Sequence, residues 1–124
     1  MGNALLIVDH GSRRKEANDM LETVADLIRR RAPGLIVHSA HMELAEPSIE
    51  QGIAACAADG ATSLVVHPYM LSPGRHAVED IPRMVREIAS RYQQLEISVS
   101  APLGVHEKLA EVVLERAGLE QLSK

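Results

Sequence analysis

The sequence predicts an α/β fold, three layers deep, with a four-stranded parallel sheet between helices. Three observations carry that prediction. Apolar strand-length runs and helix-period segments alternate four times, the links between them are short, and the runs are continuously apolar, as in strands covered on both faces. A parallel sheet of this kind needs crossover connections, and the helical segments supply them.

The elements follow in order. Ala4–Val8 is the first strand, and it stops at Asp9-His10-Gly11-Ser12, where Gly11 permits a sharp turn and Ser12 can cap the next helix. From Arg13 to Arg31, Ala17, Met20, Leu21, Val24 and Ile28 keep helical spacing, and Pro33-Gly34 ends the segment. Leu35–Met42 is the second strand. Glu46-Pro47 opens a second helix, with Ile49, Ile53, Cys56 and Ala57 on one face and a stop at Gly60. Ala61–Val66 is the third strand. A long loop follows, and Asp80-Ile81-Pro82 starts a third helix that runs to about Tyr92. Leu95–Val99 is the fourth strand, Pro102-Leu103-Gly104 a turn, and Val105–Ala117 a fourth helix closed by Gly118. One domain, residues 1–118, is expected, with 119–124 as a frayed tail.

At 124 residues the chain can bury roughly two-thirds of its unfolded surface. It has no Trp and no Phe, so the core is aliphatic and no stacking platform for bases exists. With a net charge of −4 and no long basic face, nucleic acid is excluded as the expected partner. The single cysteine, Cys56, lies in an Ala-rich helical pattern and reads as a small buried hydrophobe. No apolar run is long enough for a membrane span or a signal segment, so a cytoplasmic protein without membrane partners is expected.

In an open parallel sheet, ligands bind beyond the carboxyl ends of the strands. The first strand is followed by His10-Gly11-Ser12-Arg13, the second by Glu43, the third by Val66–Pro82, and the fourth by Pro102-Leu103-Gly104 and His106. Chemically capable groups thus gather on one edge, whereas the opposite edge receives Pro33-Gly34, Asp59-Gly60 and Gln93-Gln94. Two imidazoles and a carboxylate there, His10, His76 and Glu43, suit a divalent first-row metal such as cobalt, iron or nickel. No HExxH helix or paired-cysteine spacing supports a local structural zinc site. Each residue also has a plainer reading. His10 could cap its turn, His76 could be a solvated loop histidine, and Glu43 could be a surface acid. His67 reads as a backbone hydrogen-bonder, and at least one of the strand residues His38 and His41 as packed inward or against a helix. His106 reads as a helix cap, Asp80 as an N-terminal helix charge, and most of Arg13-Arg14-Lys15 as a solvated first turn.

Four segments, LLIVDHGSR at 5–13, HMELAEPSI at 41–49, VHPYMLSPGRHAVEDIP at 66–82 and PLGVHEKL at 102–109, resemble the small single-domain sirohydrochlorin chelatases, the short class II chelatases of tetrapyrrole pathways. The resemblance covers most of the chain and implies a chelatase-like fold, half of a flavodoxin-like pair. It implies ATP-independent insertion of a divalent metal, cobalt first and nickel or iron otherwise, into sirohydrochlorin on the way to cobalamin or sirohaem. His10 and His76 match the family's paired metal-site histidines, and Glu43 the acid beside them in related cobalt chelatases, the three serving as ligands and catalytic groups. Ser12, Arg13, Tyr69, Leu71 and Arg75 are the residues expected to meet the polycarboxylate substrate, the two arginines by charge. The short chains resemble half of longer two-domain members, which implies a homodimer, and no permanent cofactor is implied. His67-Pro68-Tyr69 departs from the family pattern of an apolar residue and Phe, and the histidine-rich segment of some members is missing.

Three rivals stand beside this reading. A metal or tetrapyrrole carrier would use the same three ligands without turnover. A histidine phosphatase would want an arginine before its histidine, where this chain has Asp9. A flavodoxin-like phosphate binder would want more glycine than His10-Gly11-Ser12 provides.

Overall fold

Asn3–Asp9 (β1) is the strand about which the other elements are arranged, because it pairs on both sides. The chain continues through α1 (Lys15–Arg31), β2 (Ile36–His41), α2 (Ile49–Ala58), β3 (Ser63–Pro68), α3 (Arg75–Ala89), β4 (Glu96–Val99) and α4 (Glu107–Ala117), and ends in a 3-10 turn over Glu120–Leu122. This computed structural model describes residues 2–72 and 74–124, and of His76 the backbone alone. The sheet has four strands, every pair parallel, as the sequence predicts, and their order is β2-β1-β3-β4.

Alternation along β1 divides the core in two. Ala4, Leu6 and Val8 face the layer of α2 and α3, where Ile53, Cys56, Ile81, Val85 and Ile88 complete a buried cluster. Leu5 and Ile7 face α1, packing with Leu21, Ala25 and Val37. Gly52 lets α2 lie close on the sheet: a Cβ there would stand 2.6 Å from Leu6 Cδ1 and 3.1 Å from Ala40 Cβ. Cys56 is fully buried, as expected, and burial, with the nearby Asp59 charge, pushes its thiol pKa up to about 11.

Helix boundaries differ from the sequence reading most at the starts of α2 and α3; α1 and α4 each begin two residues later than expected, and α3 ends at Ala89, short of Tyr92. α2 begins after Ser48 instead of at Glu46-Pro47, because Ser48 and Gln51 close a capping box: Gln51 N–H donates to Ser48 Oγ (3.1 Å) and Ser48 N–H to Gln51 Oε1 (2.8 Å). α3 begins at Arg75, not at Asp80, so Pro82 lies inside the helix and the loop after β3 is correspondingly short. Ala77, Ile81, Val85 and Ile88 are all buried, and anchoring that stripe outweighs the hydrogen bond Pro82 forgoes. The carbonyl left without that partner belongs to Val78, which is exposed to water. Asp80, expected to act on the helix N-terminus, instead sits in the helix and accepts from Arg83 Nη2 at 2.9 Å.

The layers are unequal. α1 covers the β1–β2 half of its face, while Val65, Glu96 and Ser98 on the β3–β4 half are exposed. No residue of α4 is buried, and Val112 and Val113 face solvent. His106 caps α4 as the sequence predicts, its Nδ1 accepting from Lys108 N–H at 3.0 Å.

Candidate functional site

The chain leaves β1 toward β2 on one side and returns from β2 to β3 on the other, so the loops after β1 and β3 part at the carboxyl edge. That is where an open parallel sheet forms its crevice. His10 and Glu43 extend the β1–β2 ladder past its last strand pair: Met42 N–H donates to Asp9 C=O (2.8 Å) and Glu43 N–H to His10 C=O (3.1 Å). The two candidate donors are therefore held as backbone neighbours, both exposed. Gly11 makes this possible. Its φ is 91°, and a Cβ at that position would lie 1.8 Å from the Glu43 carbonyl oxygen.

The third element of the edge is the start of α3. Gly74 is its N-cap, without a side-chain cap bond, and Arg75, exposed, is its first residue. His76 follows within the first helical turn, and its side chain lies outside the described residues. Among the described residues no three His, Cys, Asp or Glu side chains are grouped closely enough to hold a metal ion.

The residues expected to meet substrate lie on the same edge in different settings. Ser12 accepts from Arg14 N–H at 3.0 Å and is itself steadied by Asn18, whose Oδ1 takes the Ser12 N–H and whose amide donates to the Ser12 carbonyl. It is not the cap of α1 that the sequence suggests: Arg14 is the N-cap, without a side-chain cap bond, and Ser12 braces the entry from outside the helix. Arg13 is exposed. Tyr69, half-buried, packs on the α1 side of the sheet and lines a cavity of about 280 Å³ with Asp9, Met20, Leu21 and Val24. Leu71 is 62% exposed and lines a larger apolar hollow, about 690 Å³, with Val105, Leu109 and Val113. The loop after β4 closes against it through Leu103 N–H to Met70 C=O and Gly104 N–H to Leu71 C=O, both 3.1 Å.

Of the remaining histidines, His38 binds Asp59 at 2.7 Å at the end of α2, away from this edge. His67 belongs to β3; it has the backbone partner expected of it, at Ala101, and its Nδ1 also stands 2.9 Å from Ser100 Oγ. Burial lowers its pKa, partly opposed by a hydrogen bond to the Ala101 backbone. The sequence reading passed over Asp9, and treated His41 only as a strand residue. The two are registered opposite each other at the last pair of β1 and β2, with Asp9 Oδ1 2.6 Å from His41 Nδ1. The sequence places these strand ends at Val8 and Met42, so it carries no signal for this pairing.

A β2-β1-β3-β4 parallel sheet with polar loops on its carboxyl edge defines a ligand-binding α/β unit of the flavodoxin-like kind. This chain belongs to the CbiX family, whose model matches residues 4–119. It is 43% identical over 114 residues to the chloroplastic sirohydrochlorin ferrochelatase of Arabidopsis thaliana, covering 92% of this chain and 51% of that protein. Against the sirohydrochlorin cobaltochelatase of Sulfurisphaera tokodaii it is 32% identical, with 90% of this chain and 88% of the relative covered. The crystal structure of the sirohydrochlorin chelatase SirB from Bacillus subtilis subspecies spizizenii in complex with cobalt superposes with a TM-score of 0.86 at 35% identity, over 95% of this chain and 50% of that one. The chain thus spans about half the length of several curated relatives it matches, and nearly the whole of others. The resemblance read from the four motifs is borne out, as is the fold.

Proposed function

We propose that this chain inserts a divalent metal, cobalt or iron, into sirohydrochlorin without a nucleotide, and that residues 1–118 form the unit that does so. The observation that carries this reading is the pairing of His10 with Glu43 at the carboxyl edge, in a chain of the CbiX family. Relatives named for iron and for cobalt support the choice between those two metals. The metal is a substrate, and no permanent cofactor is assigned.

Metal insertion releases two pyrrolic protons, so the site must hold a cation and accept protons. Neutral imidazole does both near neutral pH, and a carboxylate offsets the charge of the incoming ion. His10, Glu43 and His76 take these roles, each as ligand and as proton acceptor. Ser12, Arg13, Tyr69, Leu71 and Arg75 border the macrocycle, with the exposed guanidiniums of Arg13 and Arg75 available to its carboxylates in a chain of net charge −4.

A homodimer in the cytoplasm completes the reading. The uncovered β3–β4 half-face and the exposed valines of α4 support a second unit packing there. No helix among the described residues is long and apolar enough to cross a membrane. Sedimentation at micromolar concentration should give twice the monomer mass; a monomer removes the dimer.

The deciding experiment follows the visible spectrum of sirohydrochlorin with cobalt(II) or iron(II) under anaerobic conditions. Turnover above the uncatalysed rate is expected, with a loss of at least about tenfold in His10→Ala and in His76→Ala. Stoichiometric pigment binding with no change in rate would replace the enzyme with a carrier.

A further inference from the structure

Beneath His10 and Glu43 lies a second histidine–carboxylate pair. Asp9 and His41 are the final registered pair of β1 and β2, and strand alternation puts both side chains on the α1 side with Ile7 and Val37. Asp9 Oδ1 and His41 Nδ1 are 2.6 Å apart, the imidazole side chain is 4% exposed and the carboxylate side chain 25%. A carboxylate can only accept, so Nδ1 carries the proton and the bond is charge-assisted.

The bond sits where it can control the two residues above it. His10 follows Asp9 directly, and Glu43 lies two residues beyond His41. His41 N–H also donates to the Pro47 carbonyl at 2.8 Å, tying the return of the Glu43 segment to the same residue. Gly11 lies over the pair, its ideal Cβ only 3.1 Å from His41 Cβ. Ladder ends fray, and in a strand a slip of one residue moves each position by about 3.3 Å and turns its side chain to the other face. A clamp at the last rung therefore fixes which pair of loop residues face one another.

We propose that Asp9 and His41 are positioning residues of the metal site: their partly buried cross-strand bond at the end of the β1–β2 ladder holds His10 and Glu43 in the register from which both reach one cation. This rests on the reading of His10 and Glu43 as metal donors. The same sheet carries its own control. His38 and Asp59 form a bond of the same type at 2.7 Å, from the same strand, but remote from the carboxyl edge.

The test titrates cobalt(II) alone into the full chain, read by visible absorption, beside turnover with sirohydrochlorin. His41→Phe keeps a ring and removes the donor; His41→Asn places an amide N–H near the position of Nδ1. His41→Phe is expected to weaken cobalt binding by about tenfold or more, the usual consequence of losing a group that orients metal ligands. It should lower kcat and leave KM for the tetrapyrrole in place, and His41→Asn should restore both. His38→Phe should leave cobalt affinity unchanged. If His41→Phe does not fold, Asp9→Ala removes the acceptor from the more exposed side and is held to the same outcomes. Weak binding in His10→Ala beside unchanged binding in His41→Phe overturns the positioning role and leaves the donor reading standing. Unchanged binding in both overturns the donor reading and the proposal with it. Equal weakening in His38→Phe and His41→Phe also overturns the proposal, since general loss of stability then explains both.

Discussion

Gly11→Ala tests whether the loop after β1 is held as tightly as its geometry implies. The residue has φ 91°, and an added Cβ would fall 1.8 Å from the Glu43 carbonyl oxygen, far inside contact distance and against backbone that cannot rotate away. A left-handed conformation costs a non-glycine residue about 1–2 kcal/mol. Relieving the clash separates the loops and breaks the bonds from Met42 N–H to Asp9 and from Glu43 N–H to His10, each worth about 0.5–1.5 kcal/mol net. The total is about 2–5 kcal/mol, a large fraction of a stability of roughly 5–15 kcal/mol. Thermal unfolding followed by circular dichroism should show Tm lower by about 10 °C, at roughly 3–5 °C per kcal/mol for a chain of this size. Chelation should fall even at temperatures where the variant is folded, because His10 and Glu43 are then no longer neighbours. Gly34→Ala is the control: nothing lies within 4 Å of its added Cβ, and Tm should hold or rise slightly. A Gly11→Ala protein with unchanged Tm and full activity would refute the tight apposition of the two loops.

Two further outcomes are expected. Ile53→Ala empties a fully buried position between α2 and the sheet and should cost about 2–5 kcal/mol in urea unfolding, with little effect on KM at temperatures where it is folded. The His67 imidazole, held below its ordinary pKa of 6.5 chiefly by burial, makes stability pH-dependent. As pH falls past 6.5 the unfolded chain takes up the proton before the folded one, so stability is lost on acidification until the folded pKa is reached. Urea titrations at about pH 7.5 and about pH 5 should show a smaller decline for His67→Gln than for the unsubstituted chain, and equal declines would remove His67 as a source.

The sheet was legible because its strands announce themselves as continuous apolar runs and the helices between them make parallel pairing the natural connection; the order β2-β1-β3-β4 was not read from the sequence. The start of α3 was not. Pro82 after an acidic residue imitates a helix beginning, and only the burial of Ala77 beneath the first turn shows that the helix is already under way. The gathering of His10 and Glu43 followed from sheet topology alone, since residues after adjacent parallel strands must share an edge. Asp9 and His41 escaped notice for a different reason. The sequence places strand ends only to within a residue or so, here at Val8 and Met42, and which residues fall opposite each other depends on register, which is fixed by the packing of whole faces. The poor burial of α4 was equally hidden, because its valines have the spacing of an ordinary core-facing helix.

Cys56 has a bearing on metal traffic. Thiolate is a soft donor that competes strongly for first-row ions, and a chain that passes cobalt or iron to a macrocycle is hindered by any sulfur that captures the ion en route. Here the sole cysteine is buried on the sheet-facing side of α2, and burial raises its thiol pKa to about 11, so under the proposed function it offers no thiolate to compete with His10 and Glu43 for the ion.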